Sequence, residues 1–262
     1  MKFAKKSLGQ NFLIDKNVLK KIINIVKIKN RHVIEVGPGK GALTDEILKS
    51  KPKSLSIIEK DYTLAGELRL KYKHNKNIKI YTADILKFDL EKIDRSDSII
   101  FGNLPYNVSS QILTKFIFNK EKFKFKMLIF MFQKELADRI VADVNNSNYG
   151  RLSILCKWKF NTKKVFEISP NSFYPKPKIK STLLIFTPRT NIVKFKNHNS
   201  LEKITRIFFN QRRKKIKKQF AYFFKENSKI IQKLNINLDM RPQNLTPETY
   251  FNLALELEKL RN

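Results

Sequence analysis

The 262-residue chain is short of the residues that would cross-link it. Its single cysteine, Cys156, excludes an internal disulfide, and a reducing, cytoplasmic setting is expected. Long apolar runs are absent too. The longest, Met127 to Phe132, falls far short of the roughly 20 residues that a membrane-spanning helix needs. The opening Met1-Lys2-Phe3-Ala4-Lys5-Lys6 leads into no apolar segment, so no signal peptide is expected. There is no internal repeat and no low-complexity tract, and no metal site is assigned.

Acidic residues are also few: 23 Asp and Glu stand against 54 Lys and Arg, a net charge of +31. A chain this basic points to a polyanionic partner, nucleic acid first. The lysines do not gather on one amphipathic helix, which disfavours a membrane surface. The sequence is rich in Lys, Asn and Ile, as an A/T-rich genome would produce, so part of the excess fits a plain solvated surface. Hydrophobic residues still make up 42%, enough for the core of an α/β domain with a smaller appendage.

Periodicity predicts alternating strands and helices. His32 to Val36, Leu55 to Ile58, Ile78 to Tyr81, Ser98 to Phe101 and Met127 to Phe132 read as strands. Ala42 to Lys49, Asp61 to Lys73, Ser109 to Asn119 and Lys134 to Asp143 read as the helices that follow them. Asp15 reads as an N-cap before Val18, Leu19, Ile22, Ile23 and Val26 at helical spacing. The alternation predicts a parallel, doubly wound sheet with its binding crevice at the C-terminal strand ends. Val165 to Ile168 and Thr182 to Phe186 read as two more strands, flanking a proline-rich loop from Ser169 to Lys180. Beyond about Pro188, Leu201 to Leu260 reads as basic helices, which sets a domain boundary between 1–188 and 189–262.

Three successive strand ends carry candidate ligand groups. Glu35-Val36-Gly37-Pro38-Gly39-Lys40-Gly41 follows the first strand, and Gly37 and Gly39 let backbone pass close to a ligand. The spacing is not that of a dinucleotide loop, and Pro38 removes an amide donor, so a nucleoside poor in phosphate fits better than a pyrophosphate. Glu59 ends the next strand and can accept from both ribose hydroxyls. Asp84 follows the third strand and can accept from an adenine amino group. Each has a plain alternative: a tight turn, a Glu59–Lys60 pair, a capping Asp. Together they make one coherent nucleoside pocket.

Asn103-Leu104-Pro105-Tyr106 ends the fourth strand at the same crevice. An aromatic amino nitrogen is a poor nucleophile because its lone pair is conjugated into the ring. The Asn103 side-chain oxygen and the Leu104 carbonyl can each accept one N–H and draw that nitrogen towards tetrahedral geometry. Pro105 restricts Leu104 to extended backbone, and Tyr106 offers a ring for base stacking. Catalysis by such a set is positioning and electrostatics, and methylation of an amine with S-adenosylmethionine as donor is the chemistry it suits. A β-turn closing a strand is the alternative. Phe173 is a candidate second stacking platform, with Lys176 and Lys178 placed to meet flanking phosphates. The run 211–218, which includes Arg212, Arg213 and Lys214, is the densest basic cluster and reads as a phosphate-contacting surface or a solvated helix face.

Taken with Leu8-Gly9-Gln10-Asn11-Phe12-Leu13, Phe209 to Lys214 and Arg241-Pro242, these motifs resemble the small-subunit (16S) ribosomal RNA adenine N6,N6-dimethyltransferases over nearly the whole chain. The resemblance implies a Rossmann-like, seven-stranded S-adenosylmethionine-dependent methyltransferase sheet with a small all-helical C-terminal domain that binds RNA or the ribosome. It implies two adjacent adenosines near the 3′ end of 16S rRNA, within the 30S particle, as substrate. Asn11 and Leu13 would cover the cofactor, Gly37 would contact its amino-acid part, Glu59 its ribose and Asp84 its adenine. Asn103 would touch both cofactor and target. Lys60 departs from the smaller residue usual after the ribose-binding acid. The related macrolide-resistance methylases of large-subunit RNA share some motifs, and the glycine turn and the 209–214 segment favour the small-subunit branch. Two other readings stay open: a ribosome-assembly factor without catalysis, and a methyltransferase for another planar amine. A monomer is expected.

Overall fold

A computed structural model of the chain describes residues 10–93, 97–118, 123–197, 199–225 and 227–260. Leu8 and Gly9 of the first motif, and Asn119 at the expected end of a helix, lie outside the described residues. The chain divides into two compact units, Met1–Ala137 with Lys163–Pro188 and Asp138–Thr162 with Arg189–Asn262.

In the first unit, β1 (Phe12–Leu13) precedes α1 (Lys16–Ile23), β2 (His32–Val36), α2 (Ala42–Lys49), β3 (Ser54–Glu59), α3 (Tyr62–Lys71) and β4 (Ile78–Thr82). There follow β5 (Ser98–Asn103), α4 (Ser109–Ile117), β6 (Phe125–Gln133) and α5 (Lys134–Val141), whose residues from Asp138 on belong to the second unit. After α6 (Arg151–Lys159) come β7 (Phe160–Ile168), β8 (Phe173–Tyr174) and β9 (Ser181–Pro188). Asp15 caps α1 as its sequence suggests, accepting from the amides of Asn17 and Val18, and Leu19, Ile22 and Ile23 bury one face.

The main sheet has seven strands in the order β4-β3-β2-β5-β6-β9-β7. The first five are mutually parallel and β9 runs antiparallel to β6. Strands β2, β3, β5 and β6 carry branched and aromatic side chains buried on both faces, which is what a helix-covered parallel sheet requires. The chain runs outward through β3 and β4 and then returns to β5 on the other side of β2. A crevice opens at such a switch point, outside the carboxyl ends of the strands.

A second, two-stranded sheet was not expected. There β1 pairs antiparallel with β8, with Phe12 opposite Tyr174 and Leu13 opposite Phe173. The Ser172 hydroxyl donates to the Asp15 carboxylate at 3.0 Å, and the Ile14 amide donates to the Ser172 carbonyl at 2.9 Å. The segment that begins at Gln10 is thus stapled to residues 157 positions away.

The boundary at 188 coincides with one edge of the second unit, but the stretch 138–162, assigned with the first domain from the alternation pattern, groups with the helical unit. Its helix α6 buries Ile154, Leu155, Cys156 and Trp158 on several sides, so no one-sided period marks it in the sequence. Tyr149 donates to the Leu245 carbonyl at 3.1 Å and Trp158 to the Val193 carbonyl at 2.8 Å, which ties the stretch into that unit. The remaining helices are α7 (Asn199–Asn210), α8 (Lys217–Phe224), α9 (Ser228–Leu234) and α10 (Pro247–Lys259). Phe208, Phe220 and Tyr250 fill their core, and Glu258 accepts from the amides of Lys196 and Asn197. Among the described residues no helix is long and apolar enough to cross a membrane.

Candidate active site

The glycine turn lies at the end of β2, beside the ends of β3 and β5. Gly37 and Gly39 have φ values of 68° and 59°, a left-handed backbone that side chains disfavour. At Gly39 space is limiting as well, because a Cβ there would lie 2.6 Å from the Phe12 ring. The Gly37 amide donates to the Ile58 carbonyl at 3.0 Å and the Gly39 amide to the Glu59 carboxylate at 3.3 Å. Glu59 therefore fastens the turn to β3. Its other oxygen accepts from the Asp61 amide at 2.8 Å. A carboxylate offers about four lone-pair sites, so acceptor capacity remains for a ligand hydroxyl. Burial raises the Glu59 pKa, and the Asp61 and Gly39 amides oppose that shift.

A cavity of about 330 Å³ fills the crevice. Asn11, Phe12, Leu13, Gly37, Gly39, Glu59, Asn103, Leu104 and Tyr106 all line it. Eight of the expected site residues, all of these but Phe12, are thereby brought to one place. Sequence reasoning gave no role to Glu35, which also lines the cavity. It is 1% exposed, accepts from the Thr44 hydroxyl at 2.6 Å, and burial pushes its carboxyl up to about 8. The signal was present: an acid in the otherwise apolar strand His32–Val36, next to the glycine turn.

Asn103 ends β5, and its side-chain nitrogen donates to the Asn11 carbonyl at 2.9 Å. That bond leaves the oxygen as the end of the amide available to a substrate N–H. Leu104 is buried beside it. The Tyr106 hydroxyl and the Ser181 Oγ lie 2.6 Å apart, so the ring is held at the start of β9. Burial raises the Tyr106 pKa and keeps the phenol neutral.

Three expected residues are placed otherwise. Asp84 is absent from the cavity lining. Its carboxylate accepts from the Leu86 amide at 2.9 Å and pairs with Lys60 at 2.9 Å, and the Lys60 hydrogen bond is the main reason its pKa is lowered. Glu59 stands opposite Thr82 in the sheet, so Lys60 and Asp84 leave neighbouring strand ends together. Phe173 is 2% exposed and packs in the core opposite Leu13, so its ring offers no open face for a base. Arg212 is half-buried and tied to the protein, with Nε donating to the Gln243 side chain at 3.2 Å and Nη2 to the Ser147 carbonyl. Lys176, Lys178, Arg213 and Lys214 are exposed.

The chain matches the family model for ribosomal RNA adenine dimethylase over residues 1–259. It belongs to the ribosomal RNA adenine dimethylase family. It is similar to a protein of Pelagibacter ubique named ribosomal RNA small subunit methyltransferase A, with 54% identity over 98% of each chain. A protein of the same name from Francisella tularensis subsp. novicida is 38% identical over 96% of each chain. Among solved structures, a dimethyladenosine transferase from Plasmodium falciparum superposes with a TM-score of 0.81 and 28% identity, covering 95% of this chain and 98% of that one. The 23S rRNA methyltransferase ErmE shares the fold, with a TM-score of 0.68, 21% identity and coverage of 94% and 99%. At the switch point of this sheet lie the cavity and, lining it, Glu59 and Asn103.

Proposed function

We propose that this chain is an S-adenosylmethionine-dependent 16S rRNA (adenine-N6,N6)-dimethyltransferase of the cytoplasm. It transfers methyl groups to N6 of two adjacent adenosines near the 3′ end of 16S rRNA, within the 30S particle or its precursor, as a step of small-subunit biogenesis. Membership of the family supports the reaction. The observation that carries it is the Asn103 amide, turned by Asn11 so that its oxygen is the free end at the cavity.

The cavity fits S-adenosylmethionine on its own geometry. Its volume lies in the range of small-ligand sites, about 300–1,000 Å³. A Cβ at Gly39 would close the cradle against Phe12, and Glu59 presents a buried carboxylate for ribose hydroxyls. Asn11, Leu13, Gly37, Gly39, Glu59 and Asn103 would hold it. When bound, the cofactor supplies an electrophilic methyl group on a sulfonium.

The chain's residues prepare the nucleophile. The Asn103 oxygen and the Leu104 carbonyl each accept one N–H of the target amine, which frees its lone pair. Tyr106 offers its ring to the base while its hydroxyl stays tied to Ser181. The amine proton becomes acidic as the new N–C bond forms and passes to water, so no strong base is required. Lys176 and Lys178 in the first unit, and Arg213 and Lys214 in the helical unit, contact RNA phosphates. The chain acts as a monomer.

The test uses purified protein, labelled S-adenosylmethionine and undermethylated 30S particles, with large-subunit RNA as a second substrate. Dimethyladenosine in 16S rRNA is the expected product. No transfer to particles that an active relative does methylate would sink the reading.

A further inference from the structure

Strand β8 leaves one aromatic residue without a task. Successive side chains of a strand point to opposite faces, and Phe173 faces the core, so Tyr174 faces away from it. The residue is 45% exposed. Among the described residues its hydroxyl has no hydrogen-bond partner. Phe12 stands directly opposite Tyr174 in the ladder and lines the reaction cavity. Directly opposed residues of an antiparallel pair have Cβ atoms about 5 Å apart, so Tyr174 neighbours a residue of the cavity wall without lining the cavity itself. Lys176 and Lys178 follow it, both exposed. Lys180 is set apart by its ion pair with Glu167 at 3.3 Å.

A half-exposed ring beside closely spaced lysines is the combination that holds single-stranded nucleic acid. The ring stacks on a base and the ammonium groups meet the phosphates on either side.

We infer that Tyr174 is the stacking platform for the nucleotide next to the target adenosine, with Lys176 and Lys178 holding the flanking phosphates. This rests on the reading of the chain as an RNA adenine methyltransferase. Tyr174 is a positioning residue: it sets how the strand enters the cavity and does not touch the reacting nitrogen.

The first measurement is methyl transfer to 30S particles by Tyr174→Ala, Tyr174→Leu and Tyr174→Phe. Losing one base stack should raise the KM for the particle about tenfold in the first two variants. Their kcat should stay within about twofold, since the amine is held by other groups. Tyr174→Phe should restore the KM. The leucine variant keeps apolar bulk without an aromatic face, so a shared defect is not one of folding. The second measurement places 2-aminopurine beside the target adenosine in a short single-stranded RNA. The unaltered chain and Tyr174→Phe should quench its fluorescence, and Tyr174→Ala and Tyr174→Leu should not. Equal KM or equal quenching across the variants overturns the inference, as does a wild-type chain that fails to quench. Quenching that depends on Tyr174, in a chain that transfers no methyl group, supports the platform and sinks the reaction. Transfer that is indifferent to Tyr174 does the reverse.

Discussion

The side-chain nitrogen of Asn103 donates to the main-chain carbonyl of Asn11 at 2.9 Å, across 92 positions of sequence. The bond joins the end of β5 to the residue just before β1 and fixes which end of the amide meets a substrate. Replacing Asn103 by Ala removes both the anchor and the acceptor. Single-turnover methyl transfer is expected to fall by about 100-fold or more, as for other preorganised polar contacts to a reacting group. Binding to 30S particles, followed by filter retention, is expected to persist. If transfer survives at a comparable rate, the assignment of Asn103 is wrong.

Gly39 sits at φ 59° with the Phe12 ring where a Cβ would go. Gly39→Ala combines backbone strain with displacement of that ring and is expected to cost about 1–3 kcal/mol. The added methyl also narrows the cavity. Thermal melts should show a lower Tm and a smaller upward shift on adding S-adenosylmethionine. An unchanged cofactor-induced shift would count against the cradle.

Glu35 carries a pH signature. Burial holds its carboxyl near 8 in the folded protein, and an unfolded chain would hold it near about 4.3. The folded state therefore binds this proton more tightly. The stability that Glu35 contributes is full below the unfolded pKa and is lost as pH rises towards 8, by up to about 1.4 kcal/mol per pH unit. Glu35→Gln keeps the shape and an acceptor for Thr44 but cannot ionise. Denaturant melts from about pH 5 to about pH 8 should show a falling stability in the parent and a flatter profile in the variant. Parallel profiles would exclude Glu35 as the source.

Arg212 and its neighbours are expected to behave differently. Arg212 bonds to Gln243 and the Ser147 carbonyl, so Arg212→Ala should lower the Tm while the salt dependence of RNA binding stays as it was. Arg213→Ala and Lys214→Ala should leave the Tm and each reduce the slope of log K against log salt by about one. Thermal melts and a salt titration of RNA binding read both. A loss of slope in Arg212→Ala would return that residue to the RNA surface.

Much of the site was legible in sequence because its chemistry is local. A carboxylate at the end of one strand, glycines at the end of another and Asn-Leu-Pro-Tyr at the end of a third need only the alternation of strand and helix to converge. Asp84 shows where such reading stops. Its place just past β4 follows from periodicity, but its partner does not, because Lys60 leaves the neighbouring strand at the same level and takes one carboxylate oxygen. A departure already visible at position 60 becomes a consequence once β3 and β4 are in register.

The sequence alone determined the alternation of strands and helices from His32 to Asp143 and most of the polar groups carried at the strand ends, since periodicity and residue type carry that information. The tertiary structure decided which way each group faces. A two-residue strand has no readable period, so the burial of Phe173 and the exposure of Tyr174 come from pairing with Phe12 and Leu13, some 160 positions earlier. The bonds of Arg212 to Gln243 and Ser147 and the grouping of 138–162 with the helical unit have the same cause. Each depends on a partner distant in the chain, and composition and spacing hold no record of such partners.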